Sequence, residues 1–160
     1  MTHSVPSTFL GIPTAQSWAD LQLYERLLTA HPELQIIIEL GTGQGGLSRF
    51  LGMQAEYRGI EFITCDIEYR DVPGFRLADV FDKSDEISSW MVAGHTLLVC
   101  DNGDKPREVS TYAPELSPGD IMAVHDWGDE ISRRDIPGYM MPIHPEWCES
   151  LTRLFMKVVQ

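Results

Sequence analysis

The chain has 160 residues, 43% hydrophobic and 22% charged, which suits one globular domain and excludes a disordered chain. Its 12 Lys and Arg against 24 Asp and Glu give a net charge of −12, which argues against nucleic acid or an anionic membrane surface as a partner. Cys65, Cys100 and Cys148 form no CxxC pair and read as reduced thiols of a cytoplasmic protein. Residues 1–9 lack the pattern of a secretory leader, and no apolar run approaches the roughly 20 residues of a membrane span.

Residues 1–16 read as extended, with Pro6 and Pro13. Ser17 to Asp20 fits a capping box, and Trp18, Leu21, Tyr24, Leu27 and Leu28 follow helical spacing until Pro32. Gln35 to Leu40 is a short apolar run rich in β-branched residues, the pattern of a strand buried on both faces. A Gly-rich turn follows, then a helix over Leu47 to Met53. Strands are expected at Glu61 to Cys65 and Phe75 to Leu77. A helix beginning at Asp82 or Ser84 runs through Ile87, Trp90 and Met91. His95 to Cys100 is a fourth strand, Lys105 to Ala113 a helix with Pro106 in its first turn, and Ile121 to Val124 a fifth strand. Residues 128–145 read as a surface excursion. Trp147, Leu151 and Leu154 suggest a last helix, and Met156 to Val159 a final strand.

Alternating strands and helices imply an α/β fold: a mostly parallel, Rossmann-like sheet with helices on both faces. The domain divides into a leader and helix (1–34), a core (35–127) and a closing segment (128–160). Ligands of such folds bind outside the carboxyl ends of the strands.

The first strand runs into Glu39-Leu40-Gly41-Thr42-Gly43-Gln44-Gly45-Gly46. Gly41, Gly43 and Gly46 match the dinucleotide pattern G-x-G-x-x-G. Glu39, Gly41, Gly43 and Gly45 match E-x-G-x-G-x-G, the first motif of class I methyltransferases. Asp66 ends the second strand, where an acid can take both hydroxyls of a ribose. Asp79 follows the third and reads either as an acceptor for an adenine amino group or as a helix cap. Asp101 follows the fourth strand, and His125 and Asp126 the fifth. Five carboxylates on one edge repel a pyrophosphate and suit a cation such as the sulfonium of S-adenosylmethionine.

The chain resembles class I S-adenosylmethionine-dependent methyltransferases, and among them the cephalosporin hydroxylase and rhamnosyl O-methyltransferase family. The likeness rests on Thr8 to Pro13, Gln16, Asp20-Leu21, Tyr24-Glu25, Ile37 to Gly46, Leu98 to Asp101, Tyr112 to Pro114, Leu116 to Asp120 and Val124 to Asp126. It spans residues 8–127. It implies a cofactor site at Glu39, Gly41, Thr42, Gly43, Gln44, Gly45, Asp66 and Ile67, with Asp79, Val80 and Asp101. It also implies a divalent metal, magnesium or manganese, on Asp101, His125 and Asp126, and a small-molecule hydroxyl as methyl acceptor.

Two departures stand out. The family has Glu-Asp where this chain has His125-Asp126, and a His where it has Lys105; imidazole suits zinc, iron or manganese better than magnesium. His125 reads as a general base, a metal ligand or a structural histidine. Lys105 reads as a general base or as a solvated lysine at a helix start. His31, His95 and His144 read as structural or surface residues. Trp127, Tyr139, Met140 and Met141 read as acceptor-pocket lining or as packing, and Asp129, Glu130 and Asp135 as contacts for a basic acceptor or, more simply, as a solvated loop. The shortened closing segment suggests an incomplete antiparallel hairpin, with an open edge that a homodimer would cover. A non-catalytic cofactor-binding protein and an NAD(P)-dependent oxidoreductase are the alternatives to a methyltransferase. A hydroxylase, which the family name invites, lacks a recognisable redox site.

Overall fold

The computed structural model describes residues 7–92 and 94–159. Ser7 to Gln16 form a small antiparallel hairpin, β1 (Thr8–Phe9) and β2 (Ile12–Pro13), rather than a plain extended segment. Its turn is Leu10-Gly11, both left-handed, with φ of 51° and 77°. Two positive φ values are what a two-residue turn needs to match strand twist. The capping box forms as expected: Ser17 N–H donates to Asp20 Oδ2 at 2.9 Å, and α1 (Trp18–Ala30) follows.

The parallel strands lie where the sequence places them: β3 (Ile36–Leu40), β4 (Glu61–Asp66), β5 (Phe75–Leu77), β6 (Thr96–Cys100) and β7 (Ile121–Val124), with β5 an exposed edge strand. Between them run α2 (Gly46–Arg58), α3 (Ser84–Trp90) and α4 (Lys105–Tyr112). Helix α2 is longer than its apolar spacing suggests and is bounded by left-handed Gly45 and Gly59.

The closing segment departs from expectation. Trp147 lies in a 3-10 turn, Pro145–Trp147, and Leu154 belongs to a strand, β9 (Arg153–Lys157). Residues 128–145 hold a further strand, β8 (Met140–Pro142), and bury Ile131, Ile136 and Met140. The seven-stranded sheet has the order β5-β4-β3-β6-β7-β9-β8, with β9 antiparallel to both its neighbours. The antiparallel hairpin is therefore complete. What is short is the connections around it, where 3-10 turns stand in place of helices. Both edge strands, β5 and β8, have three residues, and β8 carries Pro142.

Strand alternation divides the core into two layers. Ile36, Ile38 and Leu40 face a cluster with Ile87, Met91, Val109 and Tyr112 of α3 and α4. Ile37 faces Leu21, Leu27, Leu51 and Ala55 of α1 and α2. At the end of β3, Leu40 pairs with Cys65 on one side and Cys100 on the other. Chain order reverses here, between β3 and β6, so the crevice outside their carboxyl ends is the expected ligand position. Among the described residues no helix is long and apolar enough to cross a membrane.

Candidate functional site

The Gly loop turns from β3 into α2 with Gly41, Gly43 and Gly45 at φ of 92°, 54° and 86°. A Cβ on Gly41 would lie 2.6 Å from the Asp101 carbonyl oxygen, so the loop and the end of β6 touch through backbone. A Cβ on Gly43 would meet nothing, which leaves the loop open to a ligand at that point. Gly43 N–H donates to Asp66 Oδ2 at 2.9 Å, and Asp66 Oδ1 accepts from Glu68 N–H at 3.1 Å. Arg70, not anticipated from the sequence, closes this corner: its Nε donates to the Gly43 carbonyl and its Nη2 to Glu68 Oε2.

Glu39 shares the parity of Ile37, so its side chain turns under α2 and is fully buried. Oε2 accepts from Ser48 Oγ, while Oε1 has no partner among the described residues. Burial pushes this carboxyl up to about 8. Thr42 is also buried, its hydroxyl 2.8 Å from that of Thr64. Gln44 is exposed, and Ile67 keeps 67% of its surface in solvent beside Asp66. Asp79 caps a turn: its Oδ1 accepts from Phe81 and Asp82 N–H at 2.8 and 3.2 Å. Val80 is buried in the core.

Asp101, His125 and Asp126 converge as the resemblance implies, with ligand atoms within 4.8 Å of one another. Asp126 takes a left-handed φ of 57°, which Asp tolerates. The following turn, in which Glu130 N–H donates back to the Asp126 carbonyl, swings Glu130 into the same cluster. Lys105 lies at its centre. Its Nζ is 3.3 Å from Asp101 Oδ1, 2.8 Å from Asp126 Oδ2 and 3.2 Å from Glu130 Oε2, and its side chain is 3% exposed.

The reading of Lys105 as a solvated helix-start lysine is thus overturned. A cation in the first turn of a helix opposes the helix dipole; three carboxylates hold it there. Burial alone would lower its pKa, but Asp101, Asp126 and Glu130 raise it above the ordinary lysine value. His125 Nδ1 lies 3.1 Å from Asp126 Oδ1 and 3.4 Å from Asp101 Oδ1. Burial opposes its charge, yet these carboxylates hold the imidazole up to about 10. Asp126 is correspondingly held below the usual carboxylate range, by His125 first and then Lys105. The carboxylates thus favour the charged form of both candidate bases.

A divalent metal does not fit this arrangement. The ammonium already touches the Asp101 and Asp126 oxygens that would bind it, and Asp101 Oδ2 accepts from Gln16 Nε2 at 2.8 Å. Gln16, just before α1, is the second residue whose place in the site was not foreseen. Glu108 is the third: its Oε1 accepts from Asn102 N–H at 3.1 Å, and burial pushes it up to about 8.

The other candidates lie elsewhere. Met140 is core, Met141 is exposed, and Trp127 and Tyr139 pack against the α3–α4 layer. Asp135 caps its own turn through Ser132. His31 and His144 pair through Nε2 atoms 3.1 Å apart, and His144 stacks on Trp147, so both are structural.

No protein-family model matches the chain, and no curated protein matches it. Among solved structures it is similar to the apo structure of CmcI, at 16% identity and a TM-score of 0.60, over 75% of this chain and 57% of that one. It is also similar to an RNA methyltransferase from Salinibacter ruber in complex with S-adenosyl-L-homocysteine. There the identity is 18% and the TM-score 0.56, over 87% of this chain and 92% of that one. The chain spans little more than half the length of CmcI. The sheet order and these neighbours give the chain a Rossmann-like α/β fold, shared with both solved proteins.

Proposed function

We propose that the chain is an S-adenosylmethionine-dependent methyltransferase acting on an oxygen of a small-molecule acceptor. The observation that carries this reading lies at the end of β3: an open glycine turn whose Gly43 N–H is bonded to Asp66, and just before it Glu39, whose buried Oε1 has no partner among the described residues. The Salinibacter ruber protein of similar fold was solved with S-adenosyl-L-homocysteine, which supports the same cofactor class here.

Glu39 Oε1 and the loop backbone suit the amino-acid end of the cofactor, Asp66 its ribose hydroxyls, and Ile67, Asp79 and Val80 its adenine. When bound, S-adenosylmethionine supplies a methyl carbon carried on a sulfonium sulfur. Asp66, Asp79 and Asp101 favour a cation over a pyrophosphate at this edge, which sets the nicotinamide reading behind. The chain's net charge of −12 favours a small acceptor over a nucleic acid. The protein's main contribution is orientation of the two reactants, an effect that can reach about 7–11 kcal/mol.

Lys105 and His125 are each engaged with carboxylates, Lys105 with Asp101, Asp126 and Glu130 and His125 with Asp101 and Asp126, so neither stands as a free base. An acceptor whose hydroxyl ionises readily, such as a phenol or enol, fits this site better than an alkyl alcohol. The same observation favours a second reading, a non-catalytic S-adenosylmethionine-binding protein of this fold.

Calorimetric titration with S-adenosylmethionine in chelator tests both. Saturable binding that weakens about tenfold in Asp66→Ala, the cost of one charge-assisted hydrogen bond, supports the site. Turnover to S-adenosylhomocysteine with a phenolic acceptor panel selects the enzyme, and binding without turnover on any acceptor selects the second reading. No saturable binding removes both.

A further inference from the structure

We propose that Lys105 is the resident cation of the carboxylate cluster after β6 and β7, its ammonium taking the place of a divalent metal on Asp101, His125 and Asp126. The cluster has the donor set of a metal site, with three ligand atoms within 4.8 Å of one another. Yet its oxygens are already spoken for. Asp101 Oδ1 and Asp126 Oδ2 face Lys105 Nζ at 3.3 and 2.8 Å, and Glu130 Oε2 adds a third contact at 3.2 Å. Asp101 Oδ2 serves Gln16.

Three carboxylates here face one ammonium, and the His125 ring lies against two of them. A divalent ion added among the same oxygens would sit within a few ångströms of the ammonium, and like charges so close repel strongly in a half-buried site. Magnesium also asks for near-octahedral oxygen coordination, and few free oxygens remain. The side chain of Lys105 is 3% exposed, so leaving the cluster means breaking three ion pairs at once.

Lys105 is on this view a positioning residue. It holds Asp101 and Asp126 from the protein side, where a metal would hold them from the ligand side. Its bearing on methyl transfer rests on the proposed function; its role as resident cation does not.

The test uses Mn2+ alone as the probe, followed by electron paramagnetic resonance on the full chain. Wild-type protein is expected to bind no Mn2+ at the cluster, so that Asp126→Asn changes nothing in the titration. Lys105→Ala is expected to gain one ion per chain, with selective broadening of the His125 ring signal, and to lose it again when combined with Asp126→Asn. A merely structural lysine would create no such site. Should Lys105→Ala fail to fold, Lys105→Gln, uncharged and of similar reach, takes its place. Wild-type binding of one Mn2+ that Asp126→Asn abolishes overturns the proposal. So do folded Lys105 variants that gain no site. Calorimetry with S-adenosylmethionine in chelator, run on the same preparations, reports separately on the cofactor, so either reading can fail without the other.

Discussion

Gln16 Nε2 donates to Asp101 Oδ2 at 2.8 Å, joining the residue before α1 to the carboxyl end of β6 across 85 positions of chain. Gln16 is 2% exposed and is itself held in the leader: its backbone carbonyl accepts from Ser7 Oγ and Thr14 Oγ1 at 2.7 and 2.9 Å. The hairpin therefore acts as a strut for one carboxylate of the site. Gln16→Leu keeps the bulk and removes the donor. The expected cost is about 1.5–3 kcal/mol in urea unfolding, the range for a hydrogen bond to a charged group.

Glu39 makes stability depend on pH in the direction opposite to an ordinary surface acid. Burial raises its folded pKa from 4.5 to about 8, so the folded chain keeps a proton that the unfolded chain releases. Its contribution is complete below pH 4.5 and is lost as pH rises through about 8. Glu39→Gln retains an acceptor for Ser48 and cannot titrate. Urea midpoints across this window are expected to fall less with pH in the variant than in wild-type protein.

His125 titrates far outside the neutral range. The carboxylates of Asp101 and Asp126 raise its folded pKa from 6.5 to about 10 despite burial. Its stabilising effect is complete below pH 6.5 and lost as pH rises through about 10. The ring resonances of His125 are expected to stay in the imidazolium position through neutral pH. In Asp126→Asn, which removes one of the two carboxylates, the transition is expected to move towards neutrality.

The centre of the parallel sheet was legible because β3, β6 and β7 are short apolar runs followed by Gly, Asp or His-Asp, and burial on both faces permits little else. The leader hairpin was not, because its turn is Leu10-Gly11 rather than the Asn-Gly or Asp-Gly that marks such turns; Leu10 takes its left-handed φ of 51° without a local polar side chain to favour it. The closing helix failed for a different reason. Trp147, Leu151 and Leu154 have helical spacing, but Leu154 and Met156 face the α1–α2 layer while Phe155 faces the other, which is strand alternation.

Of the site, the carboxylate positions were legible because topology sends every residue after a parallel strand to one edge. Their partners were not. That Lys105 folds inward rather than out depends on Glu130, which reaches it only through the turn at Asp126. That Glu39 faces α2 follows from parity with Ile37, but that one of its oxygens stays unpartnered follows from the position of Ser48 in the next helix.

Leu40 has one further consequence. The two thiols that flank it, Cys65 and Cys100, are buried, and burial pushes Cys65 up to about 12 and Cys100 well above the usual thiol value. Both are poor nucleophiles where they stand, and a bridge between them is barred by the strand that separates them. An alkylating reagent applied to the native protein meets only Cys148, which is partly open. The two central thiols react when the middle of the sheet parts, so their slow labelling counts openings of the whole domain while Cys148 serves as its internal clock.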